Sequence, residues 1–278
     1  ANVMITGSHN PKNYNGFKIT IGTDSFFGAD LKRLGAQVRE LMSSNFKIEY
    51  INENEYNRIF VVSDIHGYYN LFEKLLNKID LKKDDLLIVL GDSCDRGENS
   101  IELYLKYIEL QEQGYPIKHI WGNHEEMLYE SAFISSYYKD LWYKVGGDET
   151  VYNYVQYIKK IIGKDDKNLL DISNAKWLKN FLEAMPFIIV SDKSIFVHAG
   201  FDCSKSVEEQ EVDYLVWNRD NFWENNNTGK NIFFGHTPSM SGKVREYPNN
   251  VFCLDTGSFF NYRLGAMEVK SKEIFYVE

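Results

Sequence analysis

Five short apolar runs in this chain each break off into a turn built from Gly, Asp, His and Asn. Ile59–Val62 runs into Ser63-Asp64-Ile65-His66-Gly67, the run 86–90 into Gly91-Asp92-Ser93-Cys94-Asp95-Arg96-Gly97, and the run 117–121 into Gly122-Asn123-His124-Glu125. Later runs end in His198-Ala199-Gly200 and Gly235-His236-Thr237. Apolar runs this short, bounded by turn residues, read as buried strands. The stretches between the first three, 71–79 and 100–113, and the one opening at Glu125 have helical spacing. The resulting β-α-β-α-β-α order predicts a layered α/β domain with its chemistry at the strand ends. A helical block over 148–185 follows. Short strands at 187–190, 194–197, 232–234 and 251–254 and a closing pair across 262–277 complete the expected elements.

Composition narrows the partners. With 278 residues and 44% apolar side chains the chain can bury its own core without a disulfide or metal staple. No apolar run approaches the ~18 residues of a membrane span, and no leader pattern is expected. The net charge of −9 argues against nucleic acid or an anionic membrane as partner. That charge is uneven. Residues 1–45 carry five basic and three acidic side chains, a net +2, which leaves −11 for the rest. A step of this kind predicts two pieces of different origin, 1–45 and 46–278. Ala1 in place of Met reads as a trimmed or engineered start. Cys94, Cys203 and Cys253 are odd in number and widely spaced, as reduced cytoplasmic thiols would be.

Four of the six histidines sit in the strand-end turns. Carboxylate, imidazole and amide oxygen are the donors that a borderline divalent ion accepts. A lone Asp after a strand is more often a helix cap, but five such turns together point to a metal centre. The order Asp-x-His-Gly, Gly-Asp-x-x-Asp-Arg-Gly, Gly-Asn-His-Glu and two isolated His resembles the phosphoprotein phosphatase family of binuclear metallophosphoesterases. The spacings of 28 residues from Asp64 to Asp92 and 31 from Asp92 to Asn123 fit that family. The short length and Val216-Trp217-Asn218-Arg219 resemble its bacterial and phage branch, the bacteriophage lambda phosphatase branch.

The resemblance implies a calcineurin-like metallophosphoesterase fold over residues 46–278, a central β-sandwich flanked by helices in α/β/β/α order. It implies that Asp64 and His66 hold a first metal, that Asp92 bridges to a second, and that Asn123, His198 and His236 complete that second site. The pair would be Mn foremost, with Fe, Zn or Ni as alternatives. A hydroxide bridging the metals would attack phosphorus in line. His124 would be the general acid, oriented by Asp95, and Arg96, Arg219 and Asn123 would bind the phosphate. The implied activity is that of a phosphomonoesterase of the protein serine/threonine type, with dual specificity open. The alternatives are a dinucleoside polyphosphate hydrolase and an autoinhibited phosphoprotein-binding module. The substrate would be a phosphorylated protein or peptide, or a small phosphoester.

Structural readings stand beside these roles. Asp95 and Arg96 could form only a turn pair, Arg219 could be a surface side chain, and His119 reads as packing or surface. Trp121 stands where most of the family carries an arginine, which implies either a weaker phosphate grip, an aromatic wall for a substrate ring, or a strand-end core residue. The block from Tyr137 to Tyr157, with Gly146-Gly147-Asp148, reads as helical packing or a substrate groove. Cys94 reads as an oxidation-sensitive thiol or a small core residue.

The first residues resemble a second family. Thr6-Gly7-Ser8-His9-Asn10-Pro11, followed by Asn15-Gly16-Phe17-Lys18, is similar to the phosphoserine loop of the α-D-phosphohexomutases. A β-loop-β-α appendage is expected there, with strands at 3–6 and 17–21 and a helix over 29–42. The resemblance makes Ser8 a phospho-acceptor; one expectation is docking of its loop at the phosphatase site, in cis or in trans, and the other is a fusion remnant or gene-rearrangement scar.

Overall fold

The computed structural model describes residues 2–6, 16–21, 24–26, 47–135, 138–163 and 166–278. It divides into two compact units, 1–46 and 47–278. In the first, β1 (Asn2–Thr6), β2 (Gly16–Ile21) and β3 (Asp24–Phe26) form an antiparallel sheet in the order β1-β2-β3. Ser8 and the helix expected over 29–42 lie outside the described residues.

In the second unit two sheets face each other. One is built from β4 (Ile48–Tyr50), β8 (Ile188–Val190), β9 (Ser194–Val197), β10 (Asn231–Phe234), β11 (Arg245–Tyr247) and β12 (Val251–Cys253), in the order β11-β12-β10-β9-β8-β4. The other is built from β5 (Ile59–Val62), β6 (Leu86–Val89), β7 (Ile117–His119), β13 (Leu264–Glu268) and β14 (Ile274–Val277), in the order β14-β13-β5-β6-β7. Strand alternation explains the core. Ile59, Val61, Leu86 and Ile88 from one sheet share a buried cluster with Ile189, Phe196, Phe233 and Phe252 from the other. Phe196, Phe233 and Phe252 form a stacked ladder across β9, β10 and β12, with ring centroids 5.2 and 5.3 Å apart.

Helices follow the strands as the periodicity predicts. Those between the first strands are α1 (Tyr69–Ile79) and α2 (Ser100–Glu112). Phe72 of α1 meets Tyr107 of α2 edge to face, 5.3 Å between centroids, and both are fully buried. After β7 come α3 (Asn123–Tyr129), α4 (Lys139–Trp142), α5 (Asp148–Ile162), α6 (Lys167–Leu170) and α7 (Lys176–Ala184). Further along are α8 (Val212–Trp217) and α9 (Ser258–Asn261). The block expected as helical over 148–185 is therefore three helices. Asp166 and Asp171 divide it, their carboxylates accepting from backbone N–H groups two residues on.

Three further differences have physical causes. β7 stops at His119: the Ile120 N–H still donates to Val89 O of β6 at 3.0 Å, but the Trp121 N–H turns away to Pro186 O at 3.0 Å. β4 and β11 carry no apolar run because each is a three-residue edge strand, paired on one side only. The first unit gains β3 on the same terms.

A charged clip fixes the entry to β5 and β6. Asp85 is fully buried and takes Arg58 on both oxygens, Nε at 3.1 Å and Nη2 at 2.6 Å, together with the Lys82 amide at 2.9 Å. Burial pushes its carboxyl up, but the Arg58 and backbone bonds win and hold it below the ordinary value. Asp85→Asn is expected to cost about 1–3 kcal/mol at neutral pH, since it leaves a guanidinium and an amide short of an acceptor. A depressed carboxyl stabilises above its unfolded value of about 3.9 and loses that contribution as pH falls through the folded value. Urea unfolding of both proteins should therefore show a constant gap above about pH 5 that closes only in stronger acid.

Candidate metal centre

Parallel pairing within each sheet sends the strand ends to one edge. β5, β6 and β7 deliver Asp64, Asp92 and Asn123, while β9, β10 and β12 deliver His198, His236 and Asp255. All six are buried. The turns are tight. Asp64, His66, Asp92, Asp95, Arg96 and His236 all have φ between 50° and 70°, a left-handed region costly to non-glycine residues and concentrated at functional sites.

Two donor groups result, His66 with Asp92 and His124, and Asp92 with His198 and His236, their ligand atoms within 4.8 Å of one another. Asp92 belongs to both. His198 donates Nδ1–H to the Leu90 carbonyl at 2.6 Å, which leaves the Nε2 lone pair aimed inward. That lone pair faces Asn123 Oδ1 at 2.9 Å and Asp92 Oδ1 at 3.3 Å, and His236 Nδ1 lies 2.8 Å from the same Asn123 oxygen. Acceptors turned toward one another in a buried place fit a divalent cation between them. His66 repeats the pattern, Nδ1–H donating to Cys94 O at 2.9 Å while Nε2 faces Arg96 Nη1 at 2.9 Å. Asp64 sits on its turn with both carboxylate oxygens on the His236 amide, at 3.1 and 3.0 Å, and a bond from Ser63 Oγ. It lies outside both donor groups.

Burial favours the neutral form of two of the imidazoles. Burial, then His124 and Arg96, lowers the His66 pKa well below the usual value. Burial and His198 push His236 down to about 3. Asp92 stays ionised, because the surrounding imidazoles outweigh the burial that would otherwise raise it. His124 differs. Burial opposes its charged form, but Asp92 and Asp95 prevail and its pKa is raised. Its Nδ1 bonds Asp95 Oδ2 at 2.6 Å and its Nε2 faces Arg96 Nη2 at 3.0 Å. Asp95 and His124, from turns 29 residues apart, are therefore a bonded pair. Arg219 reaches the same edge, Nη1 donating to the His236 carbonyl at 3.2 Å.

The residues with two sequence readings separate cleanly. Trp121 is buried, donates Nε1–H to Met185 O at 3.1 Å and stacks on Phe187 at 5.3 Å, which is the work of a core residue. His119 is buried against Ser93 Oγ at 2.7 Å, and burial pushes its pKa down to about 3. Burial and then Asp95 and Glu125 raise the Cys94 thiol, leaving it unreactive.

Two site residues had no assigned role in the sequence. Asp255 follows an apolar strand just as the ligands do, and that was its available signal. Its carboxyl is raised to about 6 by burial and by Asp92. Glu125 sits inside the Gly-Asn-His-Glu block. Its carboxylate accepts the amides of Asp92, Ser93 and Gly122 at 2.7, 2.8 and 3.0 Å and the Tyr104 hydroxyl at 2.8 Å. One carboxylate thus ties the β6 turn to the β7 turn.

A family model described as calcineurin-like phosphoesterase matches residues 57–264. A model described as phosphoglucomutase/phosphomannomutase, alpha/beta/alpha domain I, matches residues 1–43. Serine/threonine-protein phosphatase 2 of Escherichia coli K12 is 27% identical over 237 residues, covering 81% of this chain and 98% of that protein. Symmetrical bis(5'-nucleosyl)-tetraphosphatase of Haemophilus ducreyi is 23% identical, covering 79% of this chain and 98% of that one. Among solved structures, a protein serine/threonine phosphatase of Saccharomyces cerevisiae superposes with a TM-score of 0.58 at 16% identity, covering 89% of this chain and 90% of that one.

Mn titrated into chelator-treated protein and followed by EPR of the free ion should saturate at two equivalents. Glu125→Gln keeps one acceptor oxygen but loosens the clip on the ligand turns, and should weaken Mn binding about tenfold. Unchanged affinity would show that the turns hold without Glu125.

Proposed function

We propose that this chain, which belongs to the calcineurin-like phosphoesterase family, is a metal-dependent phosphomonoesterase acting on phosphoserine and phosphothreonine in proteins. The observation that carries the reading is the bonded Asp95–His124 pair beside two donor groups that share Asp92. His66, Asp92, Asn123, His198 and His236 would hold two divalent ions, with Asp64 joining from its turn. When bound, the ions supply a nucleophile at neutral pH and neutralise charge on the phosphate. The remaining work belongs to the side chains. Asp95 keeps His124 Nδ1 protonated and turns Nε2 toward the reacting edge, where its proton goes to the leaving oxygen. Arg96 and Arg219, both at that edge, grip phosphate oxygens.

The relatives named for serine/threonine phosphatase activity support the protein substrate. Val216-Trp217-Asn218-Arg219 supports the bacterial and phage branch. The tetraphosphatase relatives support the alternative substrate, a dinucleoside polyphosphate. Against it, Trp121 is consumed by the core and offers no wall to a base. For residues 1–43, the mutase-like match agrees with Ser8 as a phospho-acceptor, and its docking at the phosphatase site in cis or in trans is our proposal. Deleting that segment and finding unchanged kinetics would remove this role.

The wild type with Mn should release phosphate from a phosphoserine peptide faster than it cleaves diadenosine tetraphosphate. His124→Asn should lower kcat on the peptide by about 10²-fold or more. A preference for the dinucleotide would move the assignment to the other enzyme. Binding of phosphopeptide without any turnover would make the chain a binding module.

A further inference from the structure

The block 137–157, which reads from sequence as packing or a groove, reaches into the centre of the proposed chemistry. Trp142 and Thr150 are buried, with Trp142 1% and Thr150 0% exposed. Trp142 Nε1–H donates to Asp95 Oδ2 at 2.9 Å, the same oxygen that takes His124 Nδ1. Thr150 Oγ1 donates to Asp95 Oδ1 at 2.7 Å and accepts the Asp95 amide at 2.9 Å. The Gly146 carbonyl accepts the Arg96 amide at 3.1 Å. Four bonds from one stretch of nine residues, 142–150, therefore land on two consecutive residues of the β6 turn.

Those two residues need the help. Asp95 and Arg96 both have φ of 70°, and left-handed backbone is costly for a non-glycine residue. Nearby, the Gly97 amide bonds Asp95 O at 2.8 Å and Ser100 Oγ accepts the Asp95 amide at 3.2 Å; the bonds to the Asp95 carboxylate and the Arg96 amide come from 142–150 and His124. Glycine is required on the other side of the contact for two separate reasons. Gly146 has φ of 110° and a Cβ there would lie 2.7 Å from Arg96 Cγ. At Gly147 a Cβ would overlap the Trp142 indole itself. The spacing Trp-x-x-x-Gly-Gly-x-x-Thr, residues 142–150, is thus what lets an indole lie over its own chain and point its N–H at a carboxylate.

We infer that Trp142 and Thr150 are positioning residues for the general acid, holding Asp95 so that His124 Nε2 meets the leaving oxygen. This rests on the phosphomonoesterase reading. In the step concerned a water-derived oxygen bonds to phosphorus as the P–O bond to the leaving group breaks, and that bond's electron pair stays on the leaving oxygen. The oxygen takes the proton from His124 Nε2, while Nδ1–H remains bonded to Asp95. A poor leaving group, the alkoxide of serine, needs that proton far more than p-nitrophenolate does. A misaimed imidazole should therefore be felt selectively.

The test compares Trp142→Phe, which keeps a ring over Gly147 but removes the N–H, with Thr150→Val and Thr150→Ser. Each is assayed with Mn on a phosphoserine peptide and on p-nitrophenyl phosphate, and folding is checked by thermal melting. Trp142→Phe and Thr150→Val should lower kcat on the peptide about tenfold or more with KM within about twofold. On p-nitrophenyl phosphate the loss should stay below about threefold, and Thr150→Ser should restore the peptide rate. Equal losses on both substrates, or none, would overturn the inference. If Trp142→Phe does not fold, the Thr150 pair decides. If the wild type turns over neither substrate, the phosphomonoesterase reading fails, and proton NMR still tests the clamp. The hydrogen-bonded His124 Nδ1 proton should resonate far downfield, vanish in Asp95→Asn and move upfield in Thr150→Val. An unmoved resonance would refute the clamp by itself.

Discussion

Asp92 stands where the two donor groups meet, and the edge of the sandwich is organised around its charge. A carboxylate with no cation beside it is costly to bury. Here His198, His124, His66 and His236 surround it and hold it ionised against that cost. Burial presses the other way on His66 and His236, lowering both, so their positive charge is weakly held where they must offer lone pairs. The result is a buried set of acceptors with too few donors among them. His198 Nε2 facing the Asn123 oxygen, with Nδ1–H spent on the Leu90 carbonyl, is the plainest instance. Such a set is stable when a dication supplies the missing positive charge, and proteins with bound metals are stabilised by that binding.

Holding those acceptors face to face constrains everything around them. The ligands come from two sheets, so the two sheets must be fixed against each other. The Phe196, Phe233 and Phe252 ladder facing Ile59, Val61, Leu86 and Ile88 does this with non-directional packing. Orientation needs directional contacts as well. Leu90 O and Cys94 O fix the tautomers of His198 and His66, and Glu125 gathers three amides of the ligand turns. The strained φ values at His66 and Asp92 persist because these bonds over-determine them, as the His236 amide on the Asp64 carboxylate does for Asp64 and His236.

Much of this was legible because the determining signal is local. Apolar runs broken by Gly, Asp, His and Asn mark β5, β6, β7, β9 and β10 and the turns after them, and the ligands lie in those turns. β4 and β11 left no such signal, since an edge strand is specified by its neighbour and not by its own pattern. Asp255 was within reach of the same rule that found Asp92, following an apolar strand. Trp121 was ambiguous in sequence because indole serves equally as wall and as core. Only the Met185 carbonyl and the Phe187 ring settle which it is.

Asp95 shows where local reading ends. Its place in Gly-Asp-x-x-Asp-Arg-Gly identifies it, but its partners lie 29, 47 and 55 residues away at His124, Trp142 and Thr150. A hydrogen bond across such a separation leaves no periodicity behind, and a Trp or Thr in a helical block looks the same whether it fills space or holds a carboxylate. What the sequence does carry is the constraint on backbone. Gly146 turns the chain at φ 110° and Gly147 caps α5, a position that glycine suits, and each leaves room for something to approach closely. In this chain that something is the Arg96 backbone on one side and the Trp142 indole on the other. Paired glycines inside a helical stretch are thus better read as the mark of a close approach than as a break in packing. Here that approach leads directly to the carboxylate that aims His124.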